Sequence, residues 1–88
     1  MNIYYTTQFK RDYKRIKKQQ KDLEKLKIVI DSLAIGKILS PKHKDHNLSG
    51  NWSGHRDCHI EPDWILIYRK TSDSLYLERT GSHSDLFE

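Results

Sequence analysis

Apolar residues recur along this chain with two different periods. From Phe9 to Leu33 the spacing is helical, with Phe9, Tyr13 and Ile16 followed by Leu23, Leu26, Ile30 and Leu33, and with Lys and Arg set between them. The polar stretch Lys17–Asp22 breaks that stripe. One uninterrupted helix of about 29 residues would reach about 43 Å, too long for so small a domain. The pattern therefore predicts a helical hairpin turning near Gln19–Lys21, with Thr7 capping its start and Gly36 its stop. Residues 2–6 are β-branched and aromatic and read as a short strand. Beyond Gly54 the pattern predicts three strands, about 55–60, 64–70 and 74–80, joined by turns at "EPDW" and "TSDS". The polar connection Lys37–Gly54 is long for a compact domain, as functional or mobile connections are. The order β-α-α-β-β-β predicts an α+β fold in a single domain, residues 1–88: a mainly antiparallel four-stranded sheet packed against a helical hairpin.

Composition narrows the setting. With 35% hydrophobic against 32% charged residues, the core must be thin, as in any chain this short. The single cysteine, Cys58, excludes an internal disulfide and a zinc ribbon, which fits a reducing cytosol. No stretch approaches the roughly 20 apolar residues of a membrane span, and no secretory pattern opens the chain. A cytoplasmic protein without a membrane partner is expected. The formal charge is +4, but Lys10–Lys27 alone carries nine basic and three acidic residues, a net of +6. This local charge is either the solvated face of helices or a footprint for a polyanion.

Connectivity then gathers chemistry at one place. In an antiparallel meander, the end of the last strand lies beside the start of the middle one. His83 is thereby carried toward His59 and Asp63, which flank the Pro62 turn, and the long connection has the reach to bring His46. Imidazoles with an ordinary pKa near 6.5 can serve one as base and another as acid at neutral pH. That suits RNA cleavage by the substrate's own 2′-hydroxyl, with a cation steadying the phosphorane. Arg56 and Arg79 are available cations, and Trp64 and Phe87 can stack on unpaired bases.

Other readings of the same residues are weaker or stay open. A zinc site from His46, His59, His83 and Asp63 lacks any paired short spacing, and no metal or other cofactor is required by the chemistry. His55 and His59, four apart on a strand, are about 13 Å from each other, too far to share a metal. Cys58 and His59 point to opposite faces, so Cys58 reads as a small buried side chain. Trp64, Leu66 and Tyr68 share one face, and Ile65 and Ile67 the other, as core residues. For Trp64, at the turn, core and nucleotide-binding readings both stand. His43 and His55 read as surface histidines.

The ordered series DHxLxGxW, RDxHxxPDWxLIY and RxGxHxxLF, from Lys44 to Phe87, resembles the YafQ-type branch of the RelE toxin superfamily. The N-terminal half agrees in layout only. The resemblance implies a RelE-like fold and the toxin of a toxin–antitoxin pair, an endoribonuclease that cuts messenger RNA, typically on the ribosome. Carried over by motif, it implies His83 as general acid and Asp63 with His46 on the base side. It further implies that His59 and Arg56 hold the phosphate, while Trp64 and Phe87 position nucleotides. The basic residues Lys10, Arg11, Lys14, Lys17 and Lys18 become a docking face for ribosomal RNA, which an acidic antitoxin can cover. Operator DNA is a further candidate ligand of the toxin–antitoxin complex. Two rivals remain: a ParE-like binding module that grips a protein without cutting RNA, and a ribonuclease that needs no ribosome.

Overall fold

The computed structural model describes residues 1–87. Strand β1 (Asn2–Tyr5) leads into helices α1 (Thr7–Lys18) and α2 (Leu23–Ala34). A connection then carries the two-residue strand β2 (His46–Asn47), followed by β3 (Arg56–Glu61), β4 (Trp64–Lys70), β5 (Ser74–Gly81) and the short helix α3 (His83–Phe87). The sheet order is β1-β5-β4-β3-β2, with β1 parallel to β5 and the other pairs antiparallel.

The α+β class, the helical hairpin and its turn agree with the sequence pattern. Gln20 makes that turn in a left-handed conformation, φ 59°. Gly36 follows α2 with φ 78°, as a helix stop requires. The cap of α1 lies one residue earlier than expected: Thr6, not Thr7, is extended and accepts the Phe9 N–H at 3.0 Å. The sheet also has a fifth strand. Only His46 and Asn47 pair with β3 there, too few residues to leave a periodic signal.

The two sheet faces are unequal. Phe9 and Ile16 of α1 and Leu26, Val29 and Leu33 of α2 bury against Cys58, Trp64, Leu66, Tyr68, Leu75 and Leu77. Each fully buried aliphatic chain stabilises by about 1.5–3 kcal/mol, so this layer holds the fold. Among the described residues the opposite face carries a smaller cluster, Ile65, Ile67 and Leu86, with Leu48 and Trp52 packed against it. Tyr13 is not a core residue of α1 but 37% exposed. Its expected place is taken by Asp12, completely buried.

Asp12 does the work that β1 leaves undone. β1 stops opposite Leu77, so the β5 edge beyond it has no strand partner. There the Asp12 carboxylate accepts the Thr80 N–H at 3.1 Å and the Arg79 Nε–H at 2.7 Å. Arg15 adds to the join by donating to Thr80 O at 2.9 Å and lying 3.6 Å from Asp85 of α3. Gly81 permits this approach. A Cβ there would stand 2.6 Å from Arg15 Nη2 and 3.0 Å from the Asp85 carboxylate.

Candidate active site

β-strand alternation decides which residues of β3 reach the open face. Asp57 pairs with Ile67 and His59 with Ile65, the two β4 residues of the open-face cluster. β2 then sets His46 beside Asp57. At the far side Ile65 pairs with Gly81, and α3 begins two residues later at His83. The imidazoles of His59 and His83 have centroids 5.5 Å apart, and Phe87 lies 6.2 Å beyond His83. His59, Asp63, His83 and Phe87 thus gather at the turn end of the sheet, and His46 stands beside Asp57, two residues before His59 on β3.

The three histidines are held in the same way. His46 Nδ1 lies 2.7 Å from Lys44 O, His59 Nδ1 3.2 Å from Pro62 O, and His83 Nδ1 2.8 Å from Asp63 Oδ1. A carbonyl or carboxylate oxygen only accepts, so each Nδ1 is assigned the hydrogen and each Nε2 is left for a substrate. A neutral ring then offers a base at Nε2, and a protonated one an acid.

Two carboxylates tune this set differently. Asp63 accepts from both the Nδ1 and the backbone N–H of His83. The side-chain bond to His83 is foremost in holding the Asp63 carboxyl below its ordinary range, so it stays ionised and keeps His83 oriented. Asp57 is buried, and burial pushes its carboxyl up against the opposing pull of the His46, His59 and His83 imidazoles. Its Oδ1 stands 3.1 Å from His46 Nδ1 without a well-directed hydrogen bond. Sequence reasoning missed Asp57. Its position two residues before His59 was the available signal, since residues i and i+2 of a strand share a face.

Several expected assignments need correction. Asp63 accepts from His83 through Oδ1, which gives it an orienting part beside the base-side role that the resemblance implies. Trp64 is completely buried on the helix side, its indole N–H donating to Thr80 Oγ1 at 2.9 Å, so no base can stack on it. Arg56 pairs with Tyr68 and therefore lies on the face opposite the histidines, bound to Asp45 and Asn47. Arg79 is taken up by Asp12. Phe87, 43% exposed, remains available for a base. His43 and His55 serve structure, through His59 O at 2.7 Å and Glu78 at 2.9 Å. Cys58 is buried, and burial first of all drives its thiol far above the ordinary range, which leaves it inert.

Lys10, Arg11, Lys14, Lys17 and Lys18 are exposed on α1, across the sheet from the histidines. Lys10 and Lys14 line a cavity of about 710 Å³ between α1, α2 and β1 that contains no histidine. The acid–base groups stand on an open face instead, suited to a chain that passes over the surface. No cluster of three metal-ligating side chains occurs among the described residues.

The fold and the site together define a small α+β protein that sets three imidazoles and two carboxylates beside one sheet face. Residues 1–88 match the model of the YafQ family, bacterial toxins of type II toxin–antitoxin systems, and the chain belongs to that family. It is 46% identical over 87 residues to the mRNA interferase toxin YafQ of Escherichia coli K12, covering 98% of this chain and 95% of that one. The crystal structure of YafQ from E. coli BL21(DE3) matches with a TM-score of 0.95 at 44% identity, over 99% of this chain and 98% of that one. YafQ in the E. coli DinJ–YafQ complex matches at 0.93 and 45%, over the same shares.

Proposed function

We propose that this toxin is an mRNA interferase, an endoribonuclease that cuts messenger RNA through the 2′-hydroxyl next to the scissile phosphate. His46 Nε2 removes the 2′-proton as the 2′-oxygen bonds to phosphorus. His83 Nε2–H protonates the 5′-oxygen as its bond to phosphorus breaks, leaving a 2′,3′-cyclic phosphate and a 5′-hydroxyl. His59, whose ring centroid lies 5.5 Å from that of His83, holds the phosphate when protonated, and Phe87 stacks on a neighbouring base. The common engagement of all three Nδ1 atoms carries this reading, because a binding module has no need to leave three Nε2 atoms free on one face. Incubating purified protein with a message, with and without ribosomes, tests it. Cleavage only with ribosomes supports the translation-dependent form, cleavage in both tubes the ribosome-independent one, and cleavage in neither removes the enzyme in favour of a binding module.

Asp57 supports the imidazolium that forms on His46. A buried carboxylate whose pKa is raised on folding costs stability while ionised, and that cost disappears as pH falls through the raised value. Asp57→Asn is therefore expected to raise Tm slightly at pH 7 while lowering the cleavage rate at least tenfold, with the stability gain vanishing in acid. Thermal melts at pH 7 and pH 4 beside a cleavage assay read both effects.

The basic face of α1 docks the toxin on ribosomal RNA and is open to an acidic cognate antitoxin, a partner such as DinJ is to the E. coli relative. Reversing the charge of Lys14, Lys17 and Lys18 is expected to weaken ribosome association and flatten its salt dependence. Unchanged association would remove α1 as the docking face. Operator DNA remains a candidate ligand of the toxin–antitoxin complex, and the messenger RNA enters from the other side of the sheet.

A further inference from the structure

β2 covers β3 only at Arg56 and Asp57. Past that point the β3 edge is met by the turn Pro41–His43, whose His43 ring is bonded to His59 O. Between this turn, the end of β3 and α2 lies a second cavity of about 410 Å³, within the size range of small-ligand sites. His59 is among its lining residues, and His43 bonds the His59 carbonyl there, so the cavity meets the histidine site across the β3 edge. Its apolar lining is Ile28, Val29, Ile60 and Pro62, and Lys25, Lys42 and Lys44 line it as well. Its single carboxylate, Glu61, is already neutralised by Lys25 at 2.9 Å. Lys42 and Lys44 are exposed and their charges are uncompensated there.

We propose that this groove is a subsite for the RNA strand on one side of the cut, with Lys42 and Lys44 on two backbone phosphates and a base against the apolar lining. The proposal rests on the ribonuclease reading above and adds a substrate path to it. A strand whose scissile phosphate sits at His59 must leave over neighbouring surface. This exit alone among the described cavities combines continuity with a histidine of the site, unneutralised positive charge and an apolar lining. Lys44 also ties the path to the chemistry, because its carbonyl is the acceptor that fixes His46.

The test is the binding of a fluorescein-labelled RNA 12-mer bearing 2′-O-methyl groups throughout, which cannot be cut by 2′-attack. Binding is thus read whether or not the catalytic reading holds. Each phosphate contact on a single strand contributes about 0.7 to the slope of log K against log salt. Lys42→Gln with Lys44→Gln is expected to lower that slope by about 1.4 and the affinity at 0.1 M salt by about 25-fold. Lys42→Arg with Lys44→Arg restores both, and matched thermal melts show that the fold is intact. Lys70→Gln, at the other end of β4, changes affinity less than threefold. An unchanged slope in the Gln pair, an equal effect from Lys70→Gln, or a loss confined to binding of the antitoxin would overturn the subsite.

Discussion

Replacing His83 with alanine is expected to slow message cleavage by about 10²–10⁴-fold, the usual contribution of a positioned general acid. Stability should hardly change. The His83 side chain is 54% exposed, and surface substitutions of this kind stay within about 0.5 kcal/mol. The pH profile separates an acid from a mere contact. A general acid must be protonated to work, so the wild-type rate falls on the alkaline side, and the residual activity of His83→Ala should fall less steeply, keeping only the part that His59 contributes. Asp63→Asn gives a milder version, because it leaves the ring in place but weakens the acceptor that orients it. Cleavage by His83→Ala at the wild-type rate would exclude it as the acid.

Asp12→Ala is expected to have the largest effect on stability, about 3–5 kcal/mol, the cost of breaking a buried ion pair from one side. That is a large part of the 5–15 kcal/mol available to a domain. The substitution strands the Arg79 guanidinium and the Thr80 N–H on a strand edge that β1 does not cover. Burial alone would push the Asp12 carboxyl up, but Arg79, the Thr80 N–H and Gln8 together hold it below its ordinary value. The sign follows. A carboxyl depressed on folding stabilises above its unfolded pKa of about 3.9, and that stability is lost as pH falls through the lower folded value. Urea melts at pH 7 should show the full deficit in Asp12→Ala, and the gap from wild type should narrow as the pH approaches 3. A deficit below about 1 kcal/mol at pH 7 would mean that α1 and β5 are joined by packing alone.

The meeting of His83 with Asp63 and His59 was legible because it needs only an antiparallel meander and a turn at Pro62. Strand parity also held the fates of Trp64 and Arg56. Trp64 shares a face with Leu66 and Tyr68 and had to enter the core, and Arg56, three residues from His59, had to face away from it. Arg79 was not legible in this way. The register between β4 and β5 slips between Ile67 and Tyr68, and such a bulge leaves no periodic mark. Asp12 was hidden for a different reason. It occupies a core position of α1 as a charged residue, and its partners Thr80 and Arg79 lie 68 and 67 residues away. A helical stripe read from apolar residues passes over it and settles on Tyr13 instead.

The chemistry of the cut ends tests the central claim most directly. RNA cleaved by the wild-type toxin should carry a 5′-hydroxyl on the downstream fragment and a 2′,3′-cyclic phosphate, or the 3′-phosphate formed by its hydrolysis, on the upstream one. A single deoxyribonucleotide at the cleavage position should block the cut. A 5′-phosphate opposite a 3′-hydroxyl, or undiminished cleavage of the deoxy-substituted strand, would contradict attack by the 2′-hydroxyl and with it the acid–base roles of His46 and His83.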